Sequence, residues 1–139
     1  MGAGSTCSIG ACRGGCRLLC SDGATCTLAS CTGGCSIGCD GALCQVDECG
    51  AGCSIECAPG STCEIGTCTE GSCHIGPSGS GTEPSTLLIH ECAGGHCDIE
   101  CGPGNACSIE SCTGGDCTIT CRAGATCKCA ASGCAIDQL

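Results

Sequence analysis

Aliphatic residues in this chain recur singly, at alternate positions, inside short runs bounded by cysteine. In Cys16-Arg17-Leu18-Leu19-Cys20, residues 16, 18 and 20 fall on one face of an extended strand and Arg17 and Leu19 on the other. The same parity turns Cys35, Ile37 and Cys39 inward, and likewise Cys53, Ile55 and Cys57. Each unit carries two such runs, C-x-I-x-x-C and C-x-I-x-C, separated by Gly-rich turns, as in residues 24–41. Aligned on their first cysteine, Cys7, Cys26, Cys44 and Cys63 lie 19, 18 and 19 residues apart, and Cys107 and Cys127 lie 20 apart. Between Cys63 and Cys107, an irregular stretch from Gly76 to Glu91 puts Leu87 in the cysteine place.

The central column of the first run reads Ile9, Leu28, Val46, Ile65, Ile89, Ile109 and Cys129. That of the second reads Leu18, Ile37, Ile55, Ile75, Ile99, Ile119 and Ile136. Thirteen of these fourteen positions are aliphatic, the pattern of a ladder in which one coil stacks on the next. Helical periodicity is absent, and 26 glycines in 139 residues disfavour helix. The fold predicted is all-β: one domain over residues 1–139, a flattened two-sheet β-solenoid of about seven coils of 18–20 residues, with an irregular insertion at 76–91. At ~4.8 Å per coil it is a rod roughly 30 Å long. Its interior is a single layer of isoleucines flanked by cysteines, too thin to offset chain ordering unaided.

Composition supplies the brace. Twenty-five residues are Cys and none is aromatic, and a Cys content above roughly 8–10% marks a disulfide scaffold or a metal-thiolate protein. In the scaffold reading, opposing strands put the second Cys of a coil near the third and the first near the fourth. That pairs Cys12 with Cys16, Cys7 with Cys20, Cys31 with Cys35, Cys26 with Cys39, Cys49 with Cys53 and Cys44 with Cys57. It further pairs Cys68 with Cys73, Cys92 with Cys97, Cys112 with Cys117 and Cys107 with Cys121. Cys20–Cys26, joining adjacent coils, stays open as the alternative. Gly76 in a fourth place and Leu87 in a first place leave Cys63 and Cys101 to pair with each other or stay reduced. In the last coil Ser132 and Gln138 stand in Cys places, which puts the odd thiol among Cys127, Cys129 and Cys134.

The net charge of −10 argues against nucleic acid as a partner, because phosphate contacts need clustered Lys and Arg. The longest apolar run, Leu87-Leu88-Ile89, is far too short to span a membrane. No catalytic motif is present and no cofactor is expected. His74, His90 and His96 cluster around the irregular coils, where a zinc or copper site competes with scattered surface histidines. Glu56, Asp98, Glu100 and Glu110 could line one face and attract cations.

Segments such as residues 52–65, Gly-Cys-Ser-Ile-Glu-Cys-Ala-Pro-Gly-Ser-Thr-Cys-Glu-Ile, resemble Cys-rich β-helix repeats of secreted or lipid-anchored bacterial surface proteins. That resemblance implies an exported, oxidised, non-enzymatic rod, extracellular or on the cell surface, its export signal removed. Its role would be structural or surface display, with end-to-end self-association into a fibre through open coil ends. The architecture is also similar to insect Cys-rich antifreeze solenoids, which makes ice binding the first alternative. Thr6, Thr25, Thr62 and Thr126 form a partial column, but Leu43 and Ala106 interrupt it. The second alternative is a metal-binding thiol-rich protein, similar in composition to metallothioneins. Against it, Cys127-Lys128-Cys129 is the one Cys-x-Cys pair and no Cys-x-x-Cys occurs.

Overall fold

The computed structural model describes residues 6–21, 23–50, 52–70, 72–77, 83–129 and 133–138. Ser132 lies outside the described residues. In chain order the strands are β1 (Thr6–Ile9), β2 (Cys12–Arg13), β3 (Arg17–Ser21), β4 (Thr25–Thr32), β5 (Ser36–Asp40), β6 (Leu43–Cys49), β7 (Ser54–Cys57) and β8 (Thr62–Cys68). They continue with β9 (His74–Pro77), β10 (Thr86–Cys92), β11 (Asp98–Cys101), β12 (Ala106–Ile109), β13 (Cys117–Cys121), β14 (Thr126–Cys129) and β15 (Cys134–Gln138). One sheet runs β1-β4-β6-β8-β10-β12-β14, with β2 also on β4, and the other runs β3-β5-β7-β9-β11-β13-β15. From β2 on, strands alternate between the sheets, and each pairs in parallel with its counterpart one coil away. The chain is a two-sheet β-solenoid.

The registers place the aliphatic columns as the alternation predicts. Leu28 lies on Val46, Val46 on Ile65, Ile65 on Ile89 and Ile89 on Ile109. In the second sheet Ile37 lies on Ile55, Ile55 on Ile75, Ile75 on Ile99 and Ile99 on Ile119. Side chains from Ile55 to Ile119 are fully buried, whereas Ile9, Leu18 and Ile136 in the end coils are only partly covered. The insertion is shorter than expected. Thr86 to Cys92 pair in register on β8, so the regular coil resumes at Thr86.

Backbone conformation shapes the corner between the two strands of a coil. The residue before the third cysteine has positive φ in every coil: Gly15, Gly34, Gly52, Ser72, His96, Asp116 and Gly133. That left-handed residue reverses the chain and aims the third cysteine back at the second. Close stacking adds a further demand at Gly114, where a Cβ would lie 2.2 Å from the Gly95 nitrogen.

Twelve disulfides close the two edges of the core. At the first corner, between the two strands of a coil, they are Cys12–Cys16, Cys31–Cys35, Cys49–Cys53, Cys68–Cys73, Cys92–Cys97, Cys112–Cys117 and Cys129–Cys134. At the second corner they join successive coils: Cys20–Cys26, Cys39–Cys44, Cys57–Cys63, Cys101–Cys107 and Cys121–Cys127. The expected pairs Cys7–Cys20, Cys26–Cys39, Cys44–Cys57 and Cys107–Cys121 are therefore corrected. The fourth cysteine faces the first of the next coil around a tight turn, with Cα atoms 6.0 to 6.3 Å apart, inside the bridging range. Each short loop so closed contributes about 2 kcal/mol in the chain-entropy model.

Three further readings change with this pairing. Cys57 lies on Pro77 in register, so Pro77 and not Gly76 fills the fourth place. Cys63 and Cys101 both have partners, Cys57 and Cys107. The odd thiol among the described residues is Cys7 in the first coil, because the three cysteines of the last coil are all bridged. Where Pro77 and Leu87 displace a bridge, a buried polar ladder holds the corner. The Ser61 amide donates to Ser85 Oγ at 3.3 Å and the Ser85 amide to Asn105 Oδ1 at 3.0 Å. The two serine hydroxyls donate to the Cys39 and Ala58 carbonyls at 3.0 and 2.9 Å.

Ile55→Ala removes a fully buried rung and is expected to cost about 2–5 kcal/mol, since the rigid sheets on either side cannot collapse onto the cavity. Ile136→Ala, at the half-covered end, should cost less than about 1 kcal/mol. Denaturant unfolding under non-reducing conditions measures both.

Candidate metal centre at the first corner

Parallel register stacks like on like, and at the first corner it stacks sulfur. Cys12 lies on Cys31, Cys31 on Cys49, Cys49 on Cys68 and Cys68 on Cys92. The bridges of neighbouring coils are thereby brought against each other. Four groups of three sulfurs lie within 4.8 Å of one another: Cys12, Cys16 and Cys35; Cys49, Cys68 and Cys73; Cys68, Cys92 and Cys97; and Cys92, Cys112 and Cys117. In each group one bridge meets a sulfur of the bridge in an adjacent coil. Among the described residues, no such group forms at the second corner, although five bridges stand there.

Redox state decides what this column can do. A disulfide sulfur carries no charge and is a poor ligand. A thiolate is a strong one for soft ions. The coil geometry supplies what the sequence spacing lacks: ligands converge from neighbouring coils rather than from a Cys-x-x-Cys pair. All the sulfurs of these groups are buried except that of Cys16, which is partly covered.

The histidines do not converge. Each meets a carboxylate one coil on, at separate places. His74 Nδ1 lies 2.7 Å from Asp98 Oδ2 across β9 and β11. His96 and Asp116, both mostly exposed, approach only to 4.0 Å. His90 stands between two carboxylates, Nε2 on Glu64 Oε1 and Nδ1 on Glu110 Oε1, and so clasps three successive coils. A neutral imidazole has one N–H and can donate to one of them. The imidazolium donates to both. The Glu64 hydrogen bond, the largest influence, raises the His90 pKa above its ordinary 6.5, burial opposes it, and Glu110 raises it further. Among the described residues no metal-ligand group contains a histidine.

The acidic residues also divide. Glu56, Asp98 and Glu100 lie on the second sheet, in β7 and β11, whereas Glu110 follows β12 of the first sheet beside His90. On the first sheet the threonine column is fuller than the spacing suggested, reading Thr6, Thr25, Leu43, Thr62, Thr86, Ala106 and Thr126. The column beside it, Ser8, Thr27, Gln45, Glu64, Leu88, Ser108 and Lys128, is irregular and carries charge. No helix long and apolar enough to cross a membrane is present among the described residues.

No family model matches the chain, and neither a curated protein nor a solved structure shows significant similarity to it.

The His90 clasp gives a pH dependence of definite sign. A pKa raised on folding contributes stability that is fully present below the ordinary value of 6.5 and is lost as pH rises through the folded value. Imidazole resonances followed by NMR should titrate at His90 above the ordinary histidine midpoint. Thermal stability should fall across the same interval, and His90→Gln should flatten that step.

Proposed function

We propose that this chain is a non-enzymatic, thiol-rich solenoid that holds soft metal ions along its first-corner sulfur column when those bridges are reduced, the braced rod being its oxidised form. The observation that carries this reading is the packing of sulfurs from adjacent coils into groups of three within 4.8 Å. Zn–S bonds of about 2.3 Å place two ligand sulfurs about 3.8 Å apart, so the two sulfurs of the opened bridge in each group must move apart while the third, from the adjacent coil, closes in by ~1 Å or less. The net charge of −10 favours cation uptake.

A second reading rests on the twelve bridges themselves and on the partly covered apolar residues of the end coils, Ile9, Leu18 and Ile136. Here the oxidised rod is the working form, an extracellular structural or display element of the kind its repeats resemble, and the end coils associate into a fibre. Ice binding is the weaker alternative, because charged residues break the face beside the threonine column.

Chain reduced under argon until the first-corner bridges are open and the second-corner bridges kept, as mapping of alkylated cysteines shows, and then titrated with zinc, distinguishes the two main readings. The metal reading expects tight uptake of about four ions, one per sulfur group, with alkylation blocked in proportion. No uptake would leave the oxidised rod, whose mass should be lower by about 24 Da, two hydrogens for each of twelve bridges. Single monomers at high concentration in sedimentation would contradict the fibre.

A further inference from the structure

Three of the four sulfur groups overlap. Cys68 belongs both to the group with Cys49 and Cys73 and to the group with Cys92 and Cys97. Cys92 belongs to that second group and also to the one with Cys112 and Cys117. Three separate three-sulfur sites would need nine ligands, and these groups contain seven distinct cysteines, so two must be shared. Cys68 and Cys92 are the two, and they are direct neighbours in the register of β8 and β10. The remaining group, Cys12, Cys16 and Cys35, shares no member with the others.

Charge selects the ion. These cysteines are buried, from 0% to 3% exposed, and uncompensated charge there is costly. Seven thiolates with three monovalent ions leave a net charge of −4, whereas three divalent ions leave −1. Sulfur ligands select soft ions, and a filled d shell accepts the geometry the coils impose.

Resting on the metal reading above, we infer that the third to sixth coils hold a linear cluster of three divalent d10 ions bridged by the thiolates of Cys68 and Cys92, with a fourth ion held apart by Cys12, Cys16 and Cys35. Formation of the three-ion cluster needs four bridges opened, Cys49–Cys53, Cys68–Cys73, Cys92–Cys97 and Cys112–Cys117, and the separate site needs two more, Cys12–Cys16 and Cys31–Cys35. A dithiol reductant supplies two electrons and two protons to each and leaves as its own cyclic disulfide. Three ions then displace seven protons from the seven thiols, giving a complex of charge −1. The apolar column beside the cluster, Val46, Ile65, Ile89 and Ile109, excludes water from it.

The test uses the whole chain, its first-corner bridges opened by limiting phosphine and its second-corner bridges kept, desalted under argon and loaded with cadmium-113. In one-dimensional and correlated cadmium NMR, two ions sharing a sulfur split each other's signals. The inference expects four resonances: three coupled in a line, the middle one to both neighbours, and one uncoupled. Cys92→Ser should abolish one coupling and Cys68→Ser the other. Four uncoupled resonances would overturn the shared ligands and leave the metal reading standing. Absence of cadmium uptake would overturn both. The wild-type coupling pattern decides the matter even where a variant fails to fold.

Discussion

Parallel in-register stacking is the constraint on which everything else in this molecule depends. Because each strand pairs with its counterpart one coil away, a residue type repeated in sequence becomes a column in space. Isoleucine on isoleucine makes a core only one layer thick. Such a layer buries too little to hold seven rungs by hydrophobic contact alone. The same register then puts cysteine at both edges of the layers, save where Pro77 and Leu87 take its place, and short bridges close the coil without a larger interior.

The two edges are chemically unequal, and the inequality follows from chain direction. At the first corner a bridge closes one coil on itself, and at four of the steps between coils a bridge lies within 4.8 Å of a sulfur of the next. At the second corner each bridge ties the end of one coil to the start of the next. The second column thus resists separation of the coils it joins, with the Ser61–Ser85–Asn105 ladder between the fourth and fifth, while the first can open without cutting the stack. A sulfur-rich column that can change oxidation state beside one that keeps the coils together is the physical basis of the metal reading.

Much of this was legible in the sequence, because a strand's period of two and a coil's period of 18–20 residues both survive in the text. The Ile columns and six of the seven first-corner pairs needed nothing more, Cys129–Cys134 staying open among the three cysteines of the last coil. The second-corner pairs did not follow, since a fourth cysteine lies near first cysteines of two coils and only the turn path chooses. The place of Pro77 was missed because the strand β9 continues one residue beyond Gly76. The clasp of His90 reaches back 26 residues to Glu64, across the insertion whose length hides the register, and 20 residues on to Glu110. Thr86 joined its column for the same reason. The sulfur groups were invisible to motif reading, which looks for ligands adjacent in sequence and not in neighbouring coils.

X-ray absorption at the zinc edge, on reduced chain loaded with zinc, tests the central claim most directly. The account predicts a first shell of sulfur alone at about 2.3 Å, with a zinc–zinc feature beyond it. A first shell dominated by nitrogen or oxygen would place the metal on the surface histidines and carboxylates, and would contradict the sulfur column as the site.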